Sequence, residues 1–395
     1  MSTSADLIIV GAGPAGLSLC RSLASSRLNI HIIDSQAAQT LADPPFDGRE
    51  IALTHPSQHI LADLGIWAHI PEEDIHPLRE AKVVNGDSSY ELHFPVPPTN
   101  SSRKPIDRLG YLVSNHLIRR AAWQACQTQH NLTWHTASKV VSAGSNTQYA
   151  HVTLDNGDSL RAPLLIAADS RFSFVRRALG IPTDLHDFGR TVIVFRLAHT
   201  LPNDHTAFEC FFYGSTLALL PLTDHLTNCV VTLGSEQADS IKSLDAQALA
   251  DHISAQVEHR FGDMRLASSI HDYPLTGVHA RRFYGTRCAL IGDAACGMHP
   301  VTAHGFNLGL QSQHILSRLI LRHSAQGLDI GDPRLLAQYN REHQRNTRLL
   351  YHGTNAIVKL FTNETPPGKW LRHRVLRTSD KLPPLKRLIA RQLTG

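Results

Sequence analysis

The chain of 395 residues is 42% hydrophobic and 18% charged, and its formal net charge is +4. These values are typical of a soluble globular protein and exclude disordered and fibrous chains. No apolar run reaches the roughly 18 residues of a membrane-spanning helix, so we expect none. The first stretch, MSTSADLIIV, lacks the basic region of a signal peptide, and we therefore expect a cytoplasmic protein.

Six cysteines without a C-x-x-C pair and 25 histidines are scattered along the sequence. Zinc sites and the disulfide frameworks of small domains use closely spaced cysteines and histidines. We therefore predict no metal ion and a reducing compartment.

The N-terminal residues alternate between strand, turn and helix patterns. An apolar run at 6–10 ends at glycines, residues 17–24 place apolar side chains on one helical face, and the apolar run 29–34 ends in an acid. This order predicts a β-α-β unit, the context in which G-x-G-x-x-G binds a dinucleotide. The predicted cofactor-binding residues of this unit are Gly11, Gly13, Pro14, Ala15, Gly16, Asp34 and Ser35.

Each fingerprint residue has its own physical role. Gly11 permits a tight turn, Gly13 lets the backbone approach a pyrophosphate, and Gly16 lets the helix pack closely on the strand. The helix N-terminus then faces the phosphates. Asp34 follows Gly16 by 18 residues, where a carboxylate accepts hydrogen bonds from a ribose and favours FAD or NAD over NADP.

The rest of the chain is taken in order. Residues 109–126 predict a helix, and Asp155-Asn156-Gly157 predicts a hairpin turn. Buried strands end at Asp169 and at Gly292-Asp293, and strand-like runs from 190 to 275 predict a mainly antiparallel sheet. Residues beyond Gly305 predict helices, broken by proline pairs at 366–367 and 383–384.

These patterns divide the chain into three parts. A discontinuous α/β domain is predicted from 1–180 and 279–330, a β-sheet lobe from 181–278, and C-terminal helices from 331–395. The division places the glycine fingerprint and Asp293 in one domain and leaves the sheet lobe to cover it.

Three separated motifs resemble those of the class A flavoprotein monooxygenases, the group typified by 4-hydroxybenzoate hydroxylase. The first is the glycine fingerprint. The second is DSRFSFVR at 169–176, beside the family's D-G-x-x-S-x-V-R. The third is GDAACGMHP at 292–300 followed by AHG at 303–305, beside G-D-A-A-H-x-x-x-P and G-Q-G. The stretches 47–67, 109–115 and 217–222 are most similar to the ubiquinone-biosynthesis hydroxylases, in particular the branch that acts on demethoxyubiquinol.

The resemblance implies a fold and a reaction. The fold is α/β, with a glutathione-reductase-type FAD-binding domain, a mainly antiparallel β-sheet substrate lobe and a helical C-terminus. FAD is the implied cofactor, NADH or NADPH the transient reductant, and O2 the second substrate. The implied reaction hydroxylates the aromatic ring of a ubiquinone precursor, a polyprenylated phenol or quinol, through a flavin C4a-hydroperoxide.

The resemblance also assigns roles to single residues. Asp293, next to Gly292, is implied to bind the ribityl or pyrophosphate part of FAD, and Asp169 is a further cofactor-binding candidate. Arg49 matches an arginine that approaches the cofactor, with a solvated loop arginine as the alternative. A helix N-terminus at the pyrimidine end of the flavin would stabilise its anionic reduced form. The flavin-edge candidates at that helix are Pro300, His304, Gly305, Phe306 and Asn307.

Several positions depart from the family motifs. Ser170 replaces a glycine, Cys296 replaces a histidine, Ala303-His304 replaces the first two residues of G-Q-G, and Ser312 replaces an aspartate. Cys296, without a nearby second cysteine, is interpreted as a small buried residue. Arg176 has three open roles: ordering its loop, contacting the pyridine nucleotide, or pairing with Asp169.

The C-terminal segment 369–393 carries eight Lys or Arg and one Asp, interleaved with leucines. This pattern indicates either an interfacial helix that associates with a membrane or a biosynthetic complex, or a solvated terminal helix. A lipid substrate favours peripheral association at the inner membrane. Because no nucleic-acid motif accompanies the basic residues, we predict no nucleic-acid partner.

Two other functions are compatible with the same motifs. Another FAD-dependent oxidoreductase of the same fold acting on a small aromatic substrate is one, although the halogenase W-x-W-x-I-P and reductase Y-x-W-x-F-P motifs do not occur in the sequence. A non-catalytic FAD-binding subunit of a biosynthetic assembly is the other.

Overall fold

The computed structural model describes residues 2–85, 91–99, 105–212, 214–298, 304–361 and 365. Within these ranges, no helix is both long enough and apolar enough to cross a bilayer. The predicted basic segment 369–393 and the candidate Pro300 lie outside the described residues.

The strands are numbered in chain order. They are β1 (Ser2–Ser4), β2 (Leu7–Val10), β3 (Ile30–Ile33), β4 (Glu50–Leu53), β5 (His76–Leu78), β6 (Glu80–Asn85), β7 (Glu91–Phe94), β8 (Gly110–Ser114), β9 (Leu132–His135), β10 (Val140–Ser145), β11 (Ala150–Leu154), β12 (Ser159–Ala162), β13 (Leu164–Ala167), β14 (Thr183–His199), β15 (Thr206–Phe212), β16 (Ser215–Pro221), β17 (Leu226–Gly234), β18 (Met264–Leu266), β19 (His271–Ala280), β20 (Tyr284–Gly285), β21 (Cys288–Leu290) and β22 (Cys296–Gly297).

The α-helices are numbered in the same way. They are α1 (Pro14–Ser22), α2 (Ala38–Ala42), α3 (His55–Asp63), α4 (Asn115–Cys126), α5 (Phe174–Ala178), α6 (Ser235–Lys242), α7 (Ala246–Gln256), α8 (His304–Ala325) and α9 (Pro333–Phe361). Short 3-10 turns occupy Trp67–His69, Glu72–Asp74 and Gly292–Ala294.

A six-stranded sheet forms the centre of the α/β part. Its order is β20-β21-β13-β2-β3-β9, and every pair is parallel except β20 with β21. All residues of β2, β3, β13 and β21 are buried, because helices on both sides of a parallel sheet require strands that are apolar on both faces. The carboxyl ends of β2, β13 and β21 therefore meet at one edge, where ligands of open α/β sheets bind.

A second sheet of nine strands has the order β22-β19-β14-β17-β16-β15-β6-β7, with β18 pairing beside β14. Its pairs are antiparallel except β15 with β6. One face packs on α6 and α7 through a core that includes Phe195, Phe208 and Leu249. We call the opposite face the inner face. Val194 lies on the inner face and contacts Gly48. A Cβ on Gly48 would lie only 2.6 Å from the Cγ2 atom of Val194.

Two smaller sheets complete the fold, with the orders β1-β12-β11-β10 and β4-β8-β5. The predicted hairpin at Asp155-Asn156-Gly157 is confirmed: β11 and β12 pair antiparallel around it, and Gly157 adopts φ +89°. The α/β fold and the mainly antiparallel second sheet are confirmed as well. The domain boundaries stay a prediction, and β6, β7 and β22 add residues outside 181–278 to the large sheet.

Two predictions of local structure were wrong. The helix predicted over 109–126 begins only at Asn115, because 110–114 form β8, which pairs with both β4 and β5. Strand pairing outweighs the helical spacing there. The helices α6 and α7 were not predicted within the strand-like stretch. Their short, alanine- and serine-rich sequences carry little apolar periodicity.

Candidate functional site

The glycine fingerprint forms the turn between β2 and α1. Gly11 adopts φ +108°, and a Cβ there would lie 2.3 Å from the carbonyl oxygen of Ala168 on the neighbouring strand end. A Cβ on Gly16 would lie 2.0 Å from the carbonyl oxygen of Gly11. Both positions therefore exclude any side chain for steric reasons. A Cβ on Gly13 would meet no atom within 4 Å, so this residue leaves open space at the helix N-terminus.

Asp34 lies at the end of β3, beside that turn. Its Oδ2 accepts a hydrogen bond of 2.7 Å from the backbone N–H of Ala12, and its Oδ1 accepts one of 2.8 Å from that of Gln36. The two bonds hold the carboxylate next to the phosphate-binding turn and leave lone pairs for a ribose hydroxyl. Ser35, the next residue, is exposed.

The second motif follows β13 and caps a helix. Asp169 Oδ2 accepts hydrogen bonds from the backbone N–H groups of Phe174 (2.7 Å) and Val175 (3.4 Å) at the start of α5. Its Oδ1 is buried, with no hydrogen-bond partner among the described residues. Asp169 therefore fixes the loop that adjoins Gly11.

Arg176 orders the same loop through hydrogen bonds to its backbone. Its guanidinium, which is 1% exposed, donates to the carbonyl oxygens of Ala294 and Arg171, each at 2.8 Å. Burial lowers the pKa of Arg176, and Asp169 counteracts this shift. These two hydrogen bonds support the first of its three open roles, the ordering of the loop. Among the described residues, Arg176 forms no salt bridge with Asp169.

The third motif follows β21. Gly292 adopts φ +58°, and its N–H donates to the hydroxyl of Ser312 at 3.1 Å. Asp293 Oδ2 accepts hydrogen bonds from the Nε and Nη2 atoms of Arg171 at 3.3 and 3.0 Å. Arg171, a residue to which the sequence reasoning gave no role, therefore joins the second motif to the third. Its place inside the second motif was the one available sequence signal, since the pairing itself depends on packing.

The described part of α8 starts at His304, because residues 299–303 lie outside the described ranges; its place at the flavin edge stays a prediction. Burial lowers the pKa of His304, so its imidazole is neutral at pH 7. A Cβ on Gly305 would meet no atom of the described residues within 4 Å. Phe306 packs against the main core. Asn307 binds the end of β4, where its Nδ2 donates to the carbonyl oxygen of Ala52 at 2.8 Å and its Oδ1 accepts from the N–H of Thr54 at 3.1 Å.

The segment before β4 carries Arg49. Its Nε donates to Asp47 Oδ2 at 3.0 Å, and its guanidinium carbon lies 5.4 Å from the ring centre of Tyr273. Although its burial opposes the shift, hydrogen bonds from Arg49 and Asn115 lower the pKa of Asp47. The Arg49 side chain is 47% exposed, and its approach to the cofactor stays a prediction.

Glu50, the residue after Arg49, forms a buried ion pair with Arg196. The carboxylate of Glu50 has 0% exposed side-chain surface, accepts from Ser114 Oγ at 2.9 Å and pairs with Arg196 of the inner face. Burial raises the pKa of Glu50, and Arg196 opposes the shift. The pair joins β4 to β14. No sequence motif indicated it, because the two charges meet only through the packing of two sheets.

Cys296 is 3% exposed, and burial raises the pKa of its thiol. A thiol kept neutral and inaccessible does not act as a nucleophile. Among the residues that the structure describes, no group of three His, Cys, Asp or Glu side chains is arranged to hold a metal ion.

The loops after β2, β3 and β21 fit FAD because they leave open space and present backbone N–H donors. Gly13 and Gly305 leave room for close approach of a ligand to two helix N-termini. Those N-termini favour phosphate and an anionic ring. Asp34 and Asp293, at the ends of β3 and β21, add oxygen atoms suited to ribose and ribityl hydroxyls. Which of these residues contact the cofactor stays a prediction.

The fold and these loops define a flavoprotein of the monooxygenase class. The structure resembles that of p-nitrophenol 4-monooxygenase PnpA from Pseudomonas putida DLL-E4, with a TM-score of 0.77 at 16% sequence identity, over 100% of this chain and 99% of that one. The family described as FAD binding domain matches residues 4–352. The chain belongs to this family.

Two curated relatives align over nearly the full sequence. Ubiquinone hydroxylase UbiM from Neisseria meningitidis is 54% identical, over 100% of this chain and 86% of its own. The 3-demethoxyubiquinol 3-hydroxylase of Escherichia coli is 24% identical, over 99% of this chain and 98% of its own. The protein is accordingly a flavin-dependent monooxygenase that uses FAD.

Proposed function

We propose that this protein hydroxylates the aromatic ring of a ubiquinone biosynthetic intermediate, with NADH or NADPH as reductant and O2 as the oxygen source. The observation that carries the proposal is the 54% identity along the whole chain to ubiquinone hydroxylase UbiM. The lower identity to the demethoxyubiquinol hydroxylase, 24%, gives no reason to prefer that substrate among the intermediates.

The geometry supports the proposal at the cofactor. In the proposed complex, the N-terminus of α1 and Gly13 receive the pyrophosphate, Asp34 the ribose, and Asp293 the ribityl chain. When bound, FAD supplies the redox chemistry that activates oxygen. The protein's part is to hold the cofactor and to place a neutral His304 and the α8 N-terminus at the flavin edge, where negative charge is stabilised.

The first experiment is spectroscopic. The purified protein should show flavin absorption that NADH bleaches under anaerobic conditions, and oxygen with a short-chain demethoxyubiquinol or prenylphenol should then yield a hydroxylated product. NADH oxidation without any hydroxylated product would favour a non-catalytic flavin subunit or another oxidoreductase. A colourless protein that FAD does not reconstitute would overturn the cofactor assignment.

We also propose that the protein associates peripherally with the cytoplasmic face of the inner membrane through segment 369–393. Eight basic residues against one acidic residue suit an anionic lipid surface, since each contributes about 1 kcal/mol near such a surface. The protein should sediment with vesicles of anionic lipid, and the double variant Lys386→Gln, Arg387→Gln should sediment less. Equal recovery with neutral and anionic vesicles would contradict the proposal.

A further inference from the structure

The inner face of the large sheet carries a continuous row of side chains. From β14 outwards the row runs through directly paired residues, which are Val194, Val230, Ala218, Glu209, Val83 and Leu92. Directly opposed residues of paired strands point to the same face. All members of this row are therefore neighbours on the inner face, and Glu209 is its one charged residue.

The row starts at Val194, where the large sheet contacts the segment 47–49 before β4. Val194 lies against Gly48, between Asp47 and Arg49, and Tyr273 of β19 donates its hydroxyl proton to the carbonyl oxygen of Asp47 at 2.5 Å. Three strand spacings separate Val194 from Glu209, which is about 14 Å. Glu209 thus lies on the same face of the large sheet as the contact between Val194 and Gly48, three strands away from it.

The centre of the inner face is apolar yet only half-buried. Val230, Ala218 and Val83 are partly exposed, whereas the row ends at the buried Val194 and Leu92. Leu220 and Ala207 beside this row are partly exposed as well. The other face of the same strands is a closed core. Half-exposed apolar side chains enclosed between buried ones are typical of a ligand cleft.

Glu209 stands in this apolar surface without a compensating charge. Among the described residues, no hydrogen bond or ion pair to its carboxyl group is found, and removal from water raises its pKa to about 8. Glu209 is itself only partly exposed, and an acid that lies among apolar side chains without a partner costs stability. Such a group is retained most readily where a ligand completes its hydrogen bonds.

A second polar group without a hydrogen-bond partner among the described residues, the side chain of Asn85, lies near Glu209 on the same face. Asn85 pairs with Phe211, two residues from Glu209 on β15, and therefore shares its face. Asn85 is 8% exposed, and its Oδ1 atom has no hydrogen-bond partner among the residues described. Buried polar atoms are normally paired, so two neighbouring unpaired groups in an apolar wall indicate a polar ligand group between or beside them.

We propose that the carboxyl group of Glu209 binds the ring hydroxyl of a phenolic or quinol substrate, whose prenyl chain lies on the apolar residues beside it. The inference rests on the proposed function and names the residue that holds the ring. A carboxylic acid both donates to and accepts from a phenol, so a single group fixes the ring's orientation. The apolar surroundings suit a hydrocarbon chain, and Asn85 Oδ1 offers a second acceptor.

The test compares two ligands, three proteins and one control variant. The ligands are a short-chain prenylated phenol and its methyl ether, which differ only in the hydroxyl proton and a methyl group. The proteins are the FAD-loaded wild type, Glu209→Leu and Glu209→Gln, with binding followed by perturbation of the flavin spectrum. Glu91→Gln is the matched control, because Glu91 pairs with Val84 of β6 and so lies on the opposite face.

The wild type and Glu91→Gln should bind the phenol about tenfold or more tightly than the ether. Glu209→Leu should lose this preference while its flavin is still reduced by NADH at the wild-type rate without substrate, and Glu209→Gln should keep part of it. If the wild type hydroxylates the phenol and Glu209→Leu retains the full preference, the role of Glu209 is wrong and the proposed function stands. A wild type that binds and hydroxylates neither phenols nor quinols overturns both.

Should Glu209→Leu fail to fold, Glu209→Gln decides the matter, since it keeps the size of the side chain and replaces the carboxyl group that the proposal requires. An unchanged phenol preference in Glu209→Gln, together with unchanged turnover at every phenol concentration, would contradict the proposal. A phenol KM raised several-fold at constant flavin content would support it.

Discussion

Arg171 and Asp293, 122 positions apart in the sequence, form an ion pair in which 3.0 Å separates Nη2 from Oδ2. Arg171 also donates to the carbonyl oxygen of Thr276 at 3.0 Å. One side chain therefore connects the loop after β13, the loop after β21 and the large sheet, at the position proposed for the ribityl chain.

The pair predicts coupled effects on FAD affinity. Asp293→Asn should weaken FAD binding about tenfold through loss of a charged acceptor. Arg171→Met should weaken it as well, because an unpaired Asp293 would repel the pyrophosphate. In the double variant, the fold-loss of FAD affinity should be smaller than the product of the fold-losses in the two single variants. Fluorescence titration measures all three, and Asp329→Asn, which breaks the ion pair of Arg287 at the amino end of β21, should leave the affinity unchanged.

The fingerprint glycines predict two separable defects. Gly13→Ala adds a methyl group where no protein atom lies within 4 Å, so the FAD-free protein should keep its melting temperature while FAD affinity falls more than tenfold. Gly11→Ala places a Cβ 2.3 Å from a carbonyl oxygen at φ +108°, and should reduce the yield of folded protein. Wild-type FAD affinity in Gly13→Ala would mean that the pyrophosphate lies elsewhere.

The buried pair of Glu50 and Arg196 predicts a large loss of stability. Arg196→Met leaves a carboxylate with 0% exposed side-chain surface without its cation, which should lower the free energy of unfolding by about 3–5 kcal/mol. Adding Glu50→Gln should restore much of it. Urea denaturation gives the comparison. Arg318→Met, which breaks the exposed pair with Glu342, should change stability by less than about 1 kcal/mol.

Two buried histidines predict a pH-dependent stability. Burial lowers the pKa of His279 to about 4 and of His343 to about 3, from 6.5. The unfolded chain therefore binds more protons between about pH 4 and 6.5. Their contribution is fully present above pH 6.5 and is lost as the pH falls, by up to about 1.4 kcal/mol per pH unit for each histidine.

Urea denaturation between pH 5 and 7.5 checks this slope. His343→Phe places an aromatic ring beside Phe283 and Tyr339, which already flank His343. It should reduce the slope but not abolish it, because burial also lowers the pKa of His31, His135 and His199. Replacement of the exposed His130 by Gln should leave it unchanged. A His343→Phe slope equal to that of the wild type would show that other groups cause the pH dependence.

The loops proposed to hold the cofactor were largely predictable from local pattern. The turn at Gly11, the position of Asp34 after a strand and the strand end before Asp293 each follow from neighbouring residues, because strand-turn-helix geometry is local. The fold class followed from the order of such patterns. The strand at 110–114 was not predictable in this way, since its pairing with β4 and β5 decides its conformation.

The sequence by itself determined the βαβ unit, the positions of the three loops proposed to face the cofactor and the mainly antiparallel character of the second sheet. Only the tertiary structure decided that Arg171 pairs with Asp293, that Arg196 neutralises Glu50, and that Glu209 stands uncompensated on the inner face. The reason is physical: backbone preferences and apolar periodicity act over a few residues. The pairing or isolation of a charge depends instead on which distant strands pack against it.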